Sequence, residues 1–91
     1  MAFEIILRVI SQEGKCVAGH KVGDEITFNF DTNEIQGKIC LHSLYSVMSK
    51  IFAMAYGAEF SWLKDKDIST HACPDAYNPV VYQVKRIRKK D

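Results

Sequence analysis

The sequence predicts an α+β fold: a small single domain, residues 1–91, with an antiparallel sheet of about three strands and one main helix. Three observations lead there. Two segments near the N-terminus alternate with period two, a central segment repeats apolar residues at helical spacing, and a β-branched run lies near the C-terminus. Ninety-one residues leave no room for a second core. With 47% hydrophobic and 25% charged residues, the chain has a globular rather than a disordered balance.

The first strand places Phe3, Ile5, Leu7 and Val9 against Glu4, Ile6, Arg8 and Ile10, and Gln12-Glu13-Gly14 ends it. A loop follows with Cys16, Gly19, His20 and Gly23-Asp24. The second strand puts Ile26, Phe28 and Phe30 on one face and Glu25, Thr27 and Asn29 on the other. Asp31-Thr32-Asn33 then has turn chemistry. The period next changes. Leu44, Val47, Met48, Ile51 and Ala55 form a helical stripe, Phe52 and Met54 widen it, and Gly57 stops it. The start falls at Ser43 as N-cap, or nearer Ile39.

Residues 58–79 read as a long irregular segment holding Phe60, Trp62, Tyr77, Lys64-Asp65-Lys66-Asp67 and two prolines. The last strand runs from Val80 to Val84 and on toward Ile87, and Arg86, Arg88, Lys89 and Lys90 make a basic end. One exposed sheet face, or an unpaired edge, favours a homo-oligomer.

Charge and hydropathy exclude several classes. A net charge of +1 gives no overall field for nucleic acid or an anionic membrane. Glu4 and Arg8 interrupt the N-terminal stretch, which therefore does not read as a signal peptide. No apolar run reaches the roughly 20 residues that span a bilayer. The expected location is the cytoplasm, where thiols stay reduced, and three cysteines cannot all pair within one chain. No P-loop, dinucleotide fingerprint or H-E-x-x-H is present.

The functional signal is a pairing of cysteine with histidine. Cys16 lies near His20, Cys40 near His42 and Cys73 near His71, and these are all the cysteines and histidines of the chain. Sulfur and imidazole suit zinc and other thiophilic metals. All three cysteines fall in expected loops or at element ends, whereas packing cysteines favour the inner faces of regular elements. The expected ligands are Cys16, His20, Cys40 and Cys73, which would give a closed tetrahedral zinc site. Asp24 is placed to orient His20. A water in place of one ligand would make the site catalytic, and three cysteines with an open corner also suit an iron–sulfur cluster. The spacing is not that of common zinc folds, which contain C-x2-C.

Two further readings stay open. In one, Cys40 at a helix start is an activated thiolate, with His20 or His42 as its base, and the protein is a thiol enzyme. In the other, the sulfurs merely pack, and the protein is a metal-free interaction module. The pattern does not decide whether the chain is an enzyme. His42 and His71 are expected to point away from their neighbouring cysteines where the backbone is extended.

The residues Cys16, Gly19 through Asp24, Cys40, Tyr56 through Phe60, Trp62, Ala72 through Asp75 and Asn78 through Val81 resemble a family of short prokaryotic proteins of unknown function. Its pattern is C-x3-H-x2-G-D, a middle Cys ahead of a helix, G-x-E-x-x-W, and C-P-D followed by N-P-V-V. The resemblance runs from about Val9 to Arg88. It implies that Cys16, His20, Cys40 and Cys73 belong to one shared pattern, and it implies no activity. His42 falls where a polar residue is tolerated, and His71 lies outside the pattern.

Phe60, Trp62 and Tyr77 either wall an apolar ligand pocket or complete a thin core under the long loop. Glu59, Asp24 and Asp75 are acid/base candidates only beside the sulfurs, and otherwise turn formers. The basic end reads as solubilising.

Overall fold

The computed structural model describes residues 2–14, 19–73 and 79–87. The elements in order are β1 (Glu4–Gln12), β2 (Glu25–Asn29), β3 (Glu34–Gln36), α1 (Leu41–Ala55), β4 (Ile68–Ala72) and β5 (Val80–Ile87). The strands form one antiparallel sheet in the order β3-β2-β1-β5-β4. The architecture is α+β with five strands, which corrects the expected sheet of about three.

Period two explains which face is dry. Ile5, Leu7 and Val9 of β1, Ile26 and Phe28 of β2, and Val80, Tyr82 and Val84 of β5 are all buried on one face. The helix lays Val47, Ile51, Met54 and Ala55 on that face, over β1 and β5. Each large apolar side chain so buried contributes about 1.5–3 kcal/mol. A register shift between Val9 and Ser11 disturbs the β1–β5 ladder, and Ile10 beside it is exposed.

The two strands absent from the sequence reading are the sheet edges. β3 has three residues, all exposed, too few to show a period. β4 reads Ile-Ser-Thr-His-Ala, with little apolar content, and lies inside the 58–79 segment expected to be irregular. Edge strands pair on one side only and need less apolar surface, so neither has a strong pattern.

Turn chemistry holds as expected at 31–33. The Asn29 side-chain oxygen accepts the amides of Asp31 and Thr32 at 3.0 and 3.1 Å. Gly37 leaves β3 at φ +107, and a Cβ there would stand 2.8 Å from the Glu25 carbonyl oxygen. Gly37→Ala should therefore lower stability by about 2–3 kcal/mol. Urea unfolding midpoints check this, and an unchanged midpoint would mean that the backbone yields at that turn.

The helix begins between the two expected starts. Cys40 is its N-cap, with extended backbone, and its carbonyl accepts the Leu44 amide at 2.9 Å. Gly57 closes the other end at φ +96, donating its amide to the Met54 carbonyl at 3.2 Å.

Arg86 is not part of a solvated basic end; it is fully buried. Its Nε meets Asp67 Oδ1 at 2.9 Å, and its remaining nitrogens donate to the carbonyls of Met54, Ala58 and Lys66 at 2.7–3.0 Å. Its guanidinium carbon lies 5.3 Å from the centre of the Phe3 ring. One side chain thus joins the end of α1, the 58–67 segment and β5. Arg88, Lys89 and Lys90 lie outside the described residues. Among the described residues no helix is long and apolar enough to cross a membrane.

Candidate functional site at the start of the helix

The loop after β1 is tied back to its strand. Gly23 donates its amide to the Val9 carbonyl at 2.8 Å, and Val9 donates to the Asp24 carbonyl at 2.9 Å. Asp24 Oδ2 accepts the Lys21 amide at 3.0 Å and tightens the turn. This anchoring drives His20 into the protein, where it is 3% exposed.

His20 meets the helix start there. The Cys40 amide donates to His20 Nε2 at 3.1 Å. An accepting Nε2 places the ring proton on Nδ1, so the imidazole is neutral with its one lone pair committed. Burial holds His20 below the usual histidine value of 6.5; Asp24 opposes this and Lys38 adds to it. The ring stands edge-on to Tyr82, with centroids 5.9 Å apart. Tyr82, on the dry face of β5, donates its hydroxyl proton to Ser43 Oγ at 3.0 Å.

Polar contacts continue toward β4. Ser46 Oγ donates to the Ser43 carbonyl at 3.0 Å and lies 2.9 Å from His71 Nε2. With the Ser46 proton so placed, the His71 Nε2–H is the donor. Burial, with Lys50 adding to it, holds His71 below its usual value.

Cys73 follows β4 directly and is half-buried against the core. Its amide donates to the Val80 carbonyl at 2.8 Å, and its Sγ accepts the Val80 amide at 3.2 Å. Val80 precedes Tyr82 by two residues on the same dry face. Cys40 Sγ lies 4.0 Å from His42 Nδ1. His42 was expected to point away on an extended backbone; the backbone at His42 is helical, which brings its ring back toward Cys40.

Of the four expected ligands, His20 is brought to the backbone amide of Cys40, and Cys73 is held beside the start of β5. Cys16 lies outside the described residues, as do Asp75 and Tyr77. Among the described residues, no three His, Cys, Asp or Glu side chains gather into a group able to hold a metal. The donor chemistry suits a thiophilic metal, but His20 as described has no lone pair to offer one. Phe60 stacks on Trp62 at 4.9 Å and packs against the core, while Trp62 stays exposed. Glu59 is exposed, and the Asp24 carboxylate serves its turn.

Sequence reasoning gave Ser43, Ser46 and Tyr82 no part in the site, naming Ser43 only as a helix N-cap. Tyr82 carried a usable signal: at a dry position of an alternating strand, its hydroxyl must find a buried partner.

The described residues thus form an α+β protein with one helix on one face of a five-stranded antiparallel sheet and a polar cluster at the helix start. No known protein family, curated protein or solved structure matches the chain.

Proposed function

We propose that the protein is a small metal-binding module. A thiophilic ion, zinc foremost, is held by Cys16, Cys40 and Cys73, with His20 as an exchangeable fourth ligand. The carrying observation is the 3.1 Å contact between the Cys40 amide and His20, twenty positions apart in sequence. It brings His20, four positions after Cys16 in sequence, to the helix start. Burial keeps His20 neutral, the form that a metal requires. An amide aimed at a sulfur, as from Val80 to Cys73, is also the arrangement that steadies a metal-bound thiolate. On this reading His20 releases the Cys40 amide when it ligates.

Elemental analysis and an absorption spectrum, on protein purified anaerobically without a metal-affinity tag, test the reading. Near-stoichiometric zinc without colour is the expected result. Cys16→Ser, Cys40→Ser and Cys73→Ser should each cut the metal content about tenfold or more, and combining them should add little. Folded protein that takes up no metal would overturn it. The 4.0 Å approach of Cys40 Sγ and His42 favours a second reading, thiol chemistry at Cys40. Alkylation separates the two: a metal-bound sulfur is protected until chelator is added, and an activated thiol is labelled at once.

A further inference from the structure

The outward flank of α1 is apolar. Leu41, Tyr45, Phe52 and Tyr56 are 78%, 89%, 50% and 66% exposed. With half-buried Met48 they recur every three or four residues, which puts them on one stripe of the helix. Because α1 packs over β1 and β5, its stripe borders the β2–β3 side of the sheet, where Ile35 of β3 is exposed. Phe28, Phe30 and Ile35 meet Met48, Phe52 and Tyr56 there, around an open groove of about 230 Å³. Phe30 stands edge-on to Phe52 and Tyr56 at 4.8 and 5.8 Å, so these three rings form one apolar cluster.

Charge and area select the occupant. α1 contains no Asp or Glu, and its one Lys or Arg, Lys50, points the opposite way, with its ammonium 2.6 Å from the Thr70 carbonyl. A two-fold contact requires a patch that complements itself, and the uncharged helix stripe meets its own copy without like-charge repulsion, while Glu34 stands at the β3 wall of the groove. Large apolar side chains this exposed present on the order of 600–700 Å² per chain, close to the roughly 800 Å² per partner of a stable interface. The groove beside β2 and β3 can take large side chains of the second helix.

We propose that this stripe is a homodimer interface in which two α1 helices cross antiparallel near Met48. Leu41 and Tyr45 of one copy face Phe52 and Tyr56 of the other, at the groove beside β2 and β3. The dimer stands on surface geometry and is independent of the metal reading.

Sedimentation equilibrium of the full chain, under reductant and from about 1 μM to about 1 mM, tests it. The expected result is a dimer with a micromolar dissociation constant. Tyr45→Glu and Leu41→Glu should each weaken it by about 100-fold while leaving the far-ultraviolet circular dichroism unchanged. Arg8→Glu, on the other sheet face, should leave the dimer intact. A wild-type chain that stays monomeric throughout the range would overturn the proposal. So would a dimer that survives both helix substitutions or is lost with Arg8→Glu.

Discussion

Replacing Arg86 with methionine is expected to lower the unfolding free energy by about 3–5 kcal/mol, because it removes at once an ion pair to the part-exposed Asp67 and three charge-assisted hydrogen bonds to carbonyls. The substitution keeps much of the apolar stem but removes the guanidinium that donates to the Asp67 carboxylate and to the carbonyls of Met54, Ala58 and Lys66, of which Met54 retains the Gly57 amide. For a domain whose total stability is about 5–15 kcal/mol, this is a large share. The thermal midpoint should fall on the order of 20 °C. Arg86→Lys should recover little, because one ammonium cannot reproduce a planar fork reaching four acceptors. Asp67→Asn should cost less, about 1–2 kcal/mol, since Arg86 keeps its three carbonyls. Urea and thermal unfolding of the three variants check this order. A loss below about 1 kcal/mol for Arg86→Met would show that water replaces the guanidinium without penalty.

Arg86 also marks where the sequence ceased to be legible. Its position in an alternating strand is a dry one, after Val80, Tyr82 and Val84, yet its charge and its neighbours Arg88, Lys89 and Lys90 read as a solvated end. Period outranked charge because the long side chain could reach carbonyls freed at the end of α1. The strong elements were legible for the same reason: β1, β2, α1 and β5 bury one face each, and burial writes a period into the sequence. β3 and β4 bury little and left no such record. At the site, proximity of His20 to the Cys40 region followed from no spacing rule; it depends on how the 19–24 turn is tied to Val9. The Tyr82–Ser43 bond likewise joins residues 39 positions apart, a pairing that only the packed helix reveals.

His20→Ala is expected to cost about 2–4 kcal/mol, because it opens a cavity beside Tyr82 and orphans the Cys40 amide. His20→Gln should cost less, since its side-chain oxygen can accept that amide. The two differ more tellingly from wild type in their response to acid. Both His20 and His71 are held below 6.5 in the folded chain, by burial above all. The unfolded chain therefore binds more protons than the folded one as the pH falls below about 6.5. Stability should be flat above that value and decline as the pH falls through the folded values. Asp24 softens the effect at His20, while Lys38 strengthens it there and Lys50 does so at His71. Glutamine at position 20 accepts without titrating, so His20→Gln should keep only the part of the acid loss that belongs to His71. Urea midpoints at pH values of about 7.5, 6.5 and 5.5 measure the difference. Parallel profiles for wild type and His20→Gln would contradict a neutral, accepting His20. The same lone pair is what a metal must take, so zinc that binds through His20 should move the His20 Nε2 nitrogen resonance, and zinc that binds without moving it would leave His20 as a clamp on the helix rather than a ligand.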